Sequence, residues 1–236
     1  MHSTLVPDQL HLSVDALILT VRSGKLTALL SRRSHPPFEG MWALPGRLVR
    51  LTESAEEAAQ QLLAEMLPGV NAYSEQLYTF TRPQRDPRGR VASVAYLILL
   101  PWETLQPSLT QPGVTLRCFT IDHAPAGLQL VADDSAILAP ADLAFDHGAI
   151  LQTGVTRLQG KIDYTDVGFH LLKDMQAFSL SELQTIFEAV LNQTLDASNF
   201  RRGILAKYET TGRITQTDVI KRQGRGRPAV LYRFNL

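Results

Sequence analysis

From Ser34 to Gly46 the chain reads SHPPFEGMWALPG, with Pro36, Pro37, Gly40, Pro45 and Gly46 inside thirteen residues. Proline removes a backbone donor and fixes φ, and glycine loosens the backbone, so this stretch is expected to be a loop rather than an element. It divides an N-terminal pair of apolar runs from a helical pattern. On its N-terminal side, SVDALILTV and KLTALLSRR are apolar runs of strand length joined by Ser23-Gly24, the pattern of a hairpin. On its C-terminal side, Ser54 to Leu67 reads as a helix. Ser54 and Glu57 have capping-box spacing, Ala58, Leu62, Leu63 and Met66 form the apolar stripe, and Pro68-Gly69 stops it.

Further on, EQLYTFTRP and VASVAYLILL read as strands around the polar QRDPRGR, and VTLRCFTI as another. Asp142 to Ile162 has helical spacing in Leu143, Ile150, Leu151, Val155 and Leu158, with Gly160 as its expected end. Then the character changes. SLSELQTIFEAVL is an amphipathic helix capped by Ser179 or Ser181, with Leu183, Ile186, Phe187 and Val190 inward. After the short link NQTL, Asp196 caps ASNFRRGILAKYET. A hairpin with Gly224, Gly226 and Pro228 in its turn closes the pattern. Two helices, a tight link and a basic hairpin are the parts of a winged helix-turn-helix.

Charge supports that division. The whole chain is formally neutral, yet from Asp196 onward nine Lys/Arg face three acids, a local net of +6. Such asymmetry suggests a nucleic-acid or acidic partner for the tail. Cys118 is the single cysteine, so no intramolecular disulfide or thiolate metal cage is expected, and a reducing compartment is. No apolar run approaches the roughly 20 residues of a membrane span. No cationic start leads into an apolar run. A soluble cytoplasmic protein with no membrane contact is the expectation.

Leu44 to Gly69, LPGRLVRLTESAEEAAQQLLAEMLPG, resembles the Nudix box, in which a glycine loop, a glutamate and a helix bearing Arg-Glu-apolar-any-Glu-Glu hold Mg²⁺ against a diphosphate. Carboxylates at i, i+3 and i+4 share one helix face, which suits a hard cation that takes oxygen ligands. Here the first glutamate matches Glu53, the Arg-Glu pair falls on Gln61-Leu62, and the Glu-Glu pair falls on Glu65-Met66. Arg47 replaces the second loop glycine, and Pro68 stands where the closing glycine is expected. Only Glu65 of the three carboxylates remains, and Gln61 lacks the positive charge that would pair with Glu53.

FTRPQRDPRGRVASVAYLILL, LAFDHGAILQTGVTRLQGKIDYT, FSLSELQTIFEAVLNQTLDASNFRRGIL and GRGRPAVLYRF are similar, in this order, to the Nudix-related transcriptional regulators of the NrtR family; the resemblance runs from residue 12 onward. It implies an α+β chain: a Nudix-like α/β/α sandwich with a mixed sheet over residues 1–160, then a winged helix-turn-helix domain over 161–236. It also implies a catalytically silent sensor with ADP-ribose or a related nucleotide as effector, operator DNA as partner, and a homodimer that represses genes of NAD metabolism. No catalytic residue, metal set or required cofactor is expected.

In RDPRGR, Arg85, Arg88 and Arg90 cluster around a turn, and guanidinium forks match phosphate geometry. With the resemblance, they are the expected ligand or interface contacts. Arg32, Arg33 and Arg47 are further ligand-binding candidates, each as readable as a solvated cation. Phe38 and Trp42 read as core aromatics rather than a stacking platform. On the second helix of the tail, Phe200 and Ile204 are four apart and face the core. Arg202 is about 200° around from Phe200 and points outward, flanked by Asn199 and Arg201. Asn and Arg there suit purine edges in the major groove. Lys207 lies further along the same helix. Lys221, Arg222, Arg225 and Arg227 belong to the wing and suit phosphates or the minor groove. The six histidines show no metal spacing and read as structural.

Two other functions fit parts of the chain. One is a Nudix hydrolase of ADP-ribose or another nucleoside diphosphate derivative, against which Leu62 and Met66 weigh. The other is a non-catalytic adaptor with a protein-binding tail, against which Arg202 and the Gly/Arg wing weigh.

Overall fold

The computed structural model describes residues 10–110, 115–125, 127–221 and 229–235. In chain order the elements are β1 (His11–Arg22), β2 (Lys25–Arg32), β3 (Trp42–Ala43), β4 (Gly46–Leu48), α1 (Ala55–Met66), β5 (Tyr73–Phe80), β6 (Val91–Leu99), α2 (Trp102–Leu105), β7 (Leu116–Ala124), β8 (Gly127–Val131), β9 (Ile137–Leu138), α3 (His147–Lys161), β10 (Phe178–Ser179), α4 (Leu180–Leu191), α5 (Ala197–Ile204), β11 (Ile214–Lys221) and β12 (Ala229–Phe234).

Nine of these strands form one sheet in the order β5-β6-β1-β2-β7-β8-β9, with β3 beside β2 and β4 beside β1. The β1–β6 pair is parallel, whereas β1 runs antiparallel to β2 and β4, so the sheet is mixed. The apolar run of β1 serves both faces of the pleat. Leu17 and Leu19 join one buried cluster, while Ala16 and Ile18 join the other. On the second face α1 and α2 pack Ala58, Ala59, Leu62 and Leu105. The first face is covered by Ile150, Leu151, Val155 and Leu158 of α3 and by Leu183 and Phe187 of α4. This is the expected Nudix-like α/β/α sandwich. Among the described residues, no helix is long and apolar enough to cross a membrane.

The second unit has a three-stranded sheet, order β10-β12-β11, beside α4 and α5: a winged helix-turn-helix. Phe169 anchors it, stacked on Phe234 at 4.3 Å and edge-on to Tyr208 at 5.0 Å. One buried cluster runs from Leu17 and Val155 through Phe187 to Tyr208 and Tyr232, so the two units share a core. Polar ties cross the same region. The Gln159 amide donates to the Val190 carbonyl at 3.0 Å, and the Tyr208 hydroxyl donates to the Thr165 carbonyl at 2.8 Å. Arg213 pairs with Asp166.

The helix starts follow their caps. Ser54 and Ser179 each form a full capping box, with Glu57 and Glu182, and the Asp196 side chain accepts from the Asn199 N–H. The third helix departs from expectation. Asp142 and Leu143 precede it, because Phe145 has φ +57° and cannot sit inside a right-handed helix. The helix starts at His147 and passes through Gly160 to Lys161. The proline-glycine loop also contributes two short strands, since Trp42–Ala43 and Gly46–Leu48 find partners in β2 and β1. The short β8 and β9 were not anticipated, and residues 205–209 wind as a π turn after α5.

Candidate ligand cleft and nucleic-acid interface

A cleft of about 160 Å³ opens where β1, β4, the loop before β6 and the start of α3 meet. Its floor is a buried polar network. Asp15, on β1, accepts from the Ser93 hydroxyl at 2.5 Å and from Arg85 Nη2 at 3.1 Å. Arg85 also grips Asp146 through two bonds, Nη2 at 2.6 Å and Nε at 3.0 Å. His147 Nε2 lies 3.4 Å from Asp15 Oδ1, and its Nδ1 accepts the Leu44 N–H at 2.8 Å. Because Nδ1 accepts, the ring proton sits on Nε2, facing Asp15. Burial alone would raise the Asp15 carboxyl. The His147 ring, the Ser93 hydroxyl and the Arg85 guanidinium outweigh it and hold the carboxyl at about 2. Gly46 is required beside this network, because a Cβ there would meet Asp15 Oδ1 at 2.3 Å.

The cleft wall carries Arg33, Arg47 and Arg88. Arg88 pairs with Asp86 at 2.7 Å and lies over the Phe145 ring at 5.6 Å. Arg33 lies over the same ring at 4.7 Å and donates to the carbonyls of Pro37 and His35. Arg47 turns toward α1. It donates to Glu53 Oε1 at 2.9 Å and to Gln61 Oε1 at 2.8 Å. The positive charge beside Glu53, absent at Gln61, thus comes from Arg47 in the former glycine loop.

Mg²⁺ of the Nudix kind would need several oxygen ligands on one face of α1. Leu62 is instead 7% exposed within the apolar cluster of the second sheet face, and Met66 packs against that cluster. Glu57 accepts from the Ser54 N–H, and Glu53 accepts from Arg47 and the Arg50 N–H. Glu65 alone remains of the box's i, i+3 and i+4 carboxylates, and this donor set does not fit the metal.

In the winged helix unit, α5 presents Asn199, Arg201 and Arg202 to solvent. Arg202 Nη2 donates to Asn199 Oδ1 at 2.8 Å, and the Arg201 guanidinium reaches the Tyr232 hydroxyl at 3.4 Å. Behind them Ile204 is buried, and Phe200 packs edge-on against Phe187 at 5.1 Å. Lys207 is turned back to the chain between the units, donating to the Asp163 carbonyl at 2.6 Å.

Comparison with known proteins agrees with the two-unit fold. The NrtR DNA-binding winged helix domain model matches residues 168–234. Over 227 residues the chain is 34% identical to the ADPR responsive transcriptional repressor NtrR of Acinetobacter baylyi, covering 95% of this chain and 82% of that protein. The chain belongs to the NrtR family. The crystal structure of Shewanella oneidensis NrtR complexed with a 27mer DNA is similar with a TM-score of 0.76 and 30% identity, over 95% of this chain and 93% of that one. A MutT/nudix family protein from Enterococcus faecalis gives a TM-score of 0.77 at 25% identity, over 99% and 90% of the two chains.

Against this NrtR framework the expected site residues divide. Arg33, Arg47, Arg85 and Arg88 converge on the cleft, with Arg85 at its buried floor. Arg32 and Arg90 are not brought there: Arg32 donates to the Gly40 carbonyl and Arg90 to the Thr81 carbonyl. Asn199, Arg201 and Arg202 share one helix, and Lys207 leaves it. Arg222, Arg225 and Arg227 lie outside the described residues, and of Lys221 only the backbone, in β11, is described. Sequence reasoning missed Asp15, Asp86, Ser93, Phe145, Asp146 and His147. The signal for three of them was the run Phe145-Asp146-His147 in LAFDHGAI.

Proposed function

We propose that this NrtR-family chain is a transcriptional repressor whose hold on operator DNA responds to ADP-ribose or a related nucleotide, bound but not hydrolysed in the Nudix-like cleft. The carrying observation is the likeness, across both units, to an NrtR captured on DNA. The name of the Acinetobacter relative supports ADP-ribose as effector. The cleft offers the chemistry such a ligand needs: Arg33 and Arg88 stand where guanidinium groups can grip a diphosphate. Leu62 and Met66, packed into the core where metal ligands are needed, support catalytic silence. A sensor that leaves its effector intact responds to concentration alone.

In this reading Asn199, Arg201 and Arg202 meet base edges or phosphates, and the wing cations Lys221, Arg222, Arg225 and Arg227 meet the backbone. The ligand-sensing unit covers residues 1–160 and the DNA-binding unit 161–236. The chain acts as a cytoplasmic homodimer on genes of NAD metabolism and requires no cofactor. A dimer places two α5 helices on a palindrome, with half-sites about one helical turn or a multiple apart. The test is selection of bound duplexes from a random DNA pool, repeated with ADP-ribose. A palindromic motif whose recovery changes with ADP-ribose is expected; recovery without sequence preference would reject the reading.

A further inference from the structure

Two phenylalanines in the first unit hold left-handed backbone angles, Phe38 at φ +63° and Phe145 at φ +57°. For a bulky residue this conformation is costly, and it persists where the surroundings demand it. Here the two strained positions bring two rings together, edge-on at 4.8 Å. Phe145 lines the cleft and Phe38 props it. His147 adds a second ring 5.3 Å away. The ring of Phe145 is thus held from the side while the cleft stays beside it.

Two cations occupy that ring. The guanidinium carbon of Arg33 is 4.7 Å from its centroid and that of Arg88 is 5.6 Å. Burial and the nearby Arg88 charge both pull Arg33 down from its usual value. Two like charges over one aromatic ring are a poor resting arrangement, only partly offset by Asp86 beside Arg88. An anion carrying a flat group would improve both contacts at once. The guanidinium groups would turn onto the anion, and the ring would accept the flat group.

We propose that Phe145 is the specificity-determining residue of the cleft: its ring is the platform for the planar heteroaromatic base of a diphosphate-bearing ligand, with Arg33 and Arg88 taking the diphosphate. This rests on the ligand reading above and adds which part of the ligand meets which side chain.

The test is calorimetric titration of the full-length chain with ADP-ribose, which carries a base, and with inorganic pyrophosphate, which does not. Phe145→Ala and Phe145→Gly should weaken ADP-ribose roughly tenfold, the loss of one stacking contact, while pyrophosphate changes by less than about twofold. Phe145→Trp should keep ADP-ribose affinity. Glycine also accepts positive φ without strain, so Phe145→Gly offsets part of the lost ring contacts, and a cooperative melt of this variant shows that its lost affinity is not lost fold. Either of two results overturns the platform: Phe145→Gly binding ADP-ribose as tightly as wild type, or pyrophosphate weakening as much as ADP-ribose. A wild-type chain that binds neither compound overturns the ligand reading itself, and the platform with it.

Discussion

Arg85 shows how much one side chain can carry here. Its guanidinium is buried between Asp15 and Asp146, so its first task is to pair with both carboxylates and tie β1 to the start of α3. Removing one partner from a buried ion network leaves uncompensated charge. Arg85→Ala should therefore lower stability by about 3–5 kcal/mol in denaturant titration, with ligand affinity falling as a consequence of a disordered cleft floor. A variant that unfolds at wild-type denaturant but binds ligand poorly would make Arg85 a direct contact instead. Asp15 gives a pH signature. Its folded value, about 2, lies below the ordinary 3.8, so its contribution to stability is complete above about pH 4 and is lost as pH falls toward 2. The stability gap between wild type and Asp15→Asn should narrow over that window, and a gap that stays constant from pH 6 to pH 2 would contradict the assignment. This network could not be read along the chain, because Arg85 and Asp146 are 61 positions apart and Ser93 and Asp15 are 78 apart. Sheet pairing brings Ser93 to Asp15, through the parallel register that sets Ser13 against Ser93 and Asp15 against Ala95.

At the level of elements, α1 presents apolar packing at Leu62 and Met66, two positions where the Nudix box places carboxylates. Leu62 belongs to the apolar cluster with Val14, Ile18 and Ile98. Leu62→Glu should cost about 2–5 kcal/mol, from lost packing and a carboxylate placed among apolar groups. It should restore no Mg²⁺-dependent cleavage of ADP-ribose; a stable variant that cleaves it would show that the metal face can be rebuilt. The α5 helix has kept its outward face, where Arg202 and Asn199 already hold each other in position. Arg202→Ala should weaken operator binding by about 1–3 kcal/mol and random DNA by less, measured by fluorescence anisotropy. Equal losses on both would make Arg202 a phosphate contact. These elements were legible because their signals are local: capping boxes at Ser54 and Ser179, the Asp196 cap, and the i, i+4 spacing of Phe200 and Ile204. The start of α3 was not. Its apolar spacing continues backward through Leu143, and nothing in the sequence announces the left-handed Phe145 that breaks the run.

The whole molecule joins the candidate ligand cleft to the winged unit through a shared core. The cleft meets α3 at its first residue, His147, and α3 packs at its far end against α4, the first helix of the winged unit. Lys207, Tyr208 and Arg213 hold residues 163–166, the stretch that directly follows α3. Any coupling between cleft and α5 through this core must be reciprocal: ligand shifts DNA affinity by the factor by which DNA shifts ligand affinity. Silent chemistry and responsive binding can be measured in one sample. Labelled operator is titrated with the full-length chain at several ADP-ribose concentrations with Mg²⁺, and the nucleotide is then recovered and analysed. We expect operator affinity to change by at least about fivefold, the lower end of typical allosteric coupling, with ADP-ribose recovered intact. Operator affinity indifferent to ADP-ribose, or ADP-ribose cleaved at about 1 s⁻¹ or faster, would contradict it.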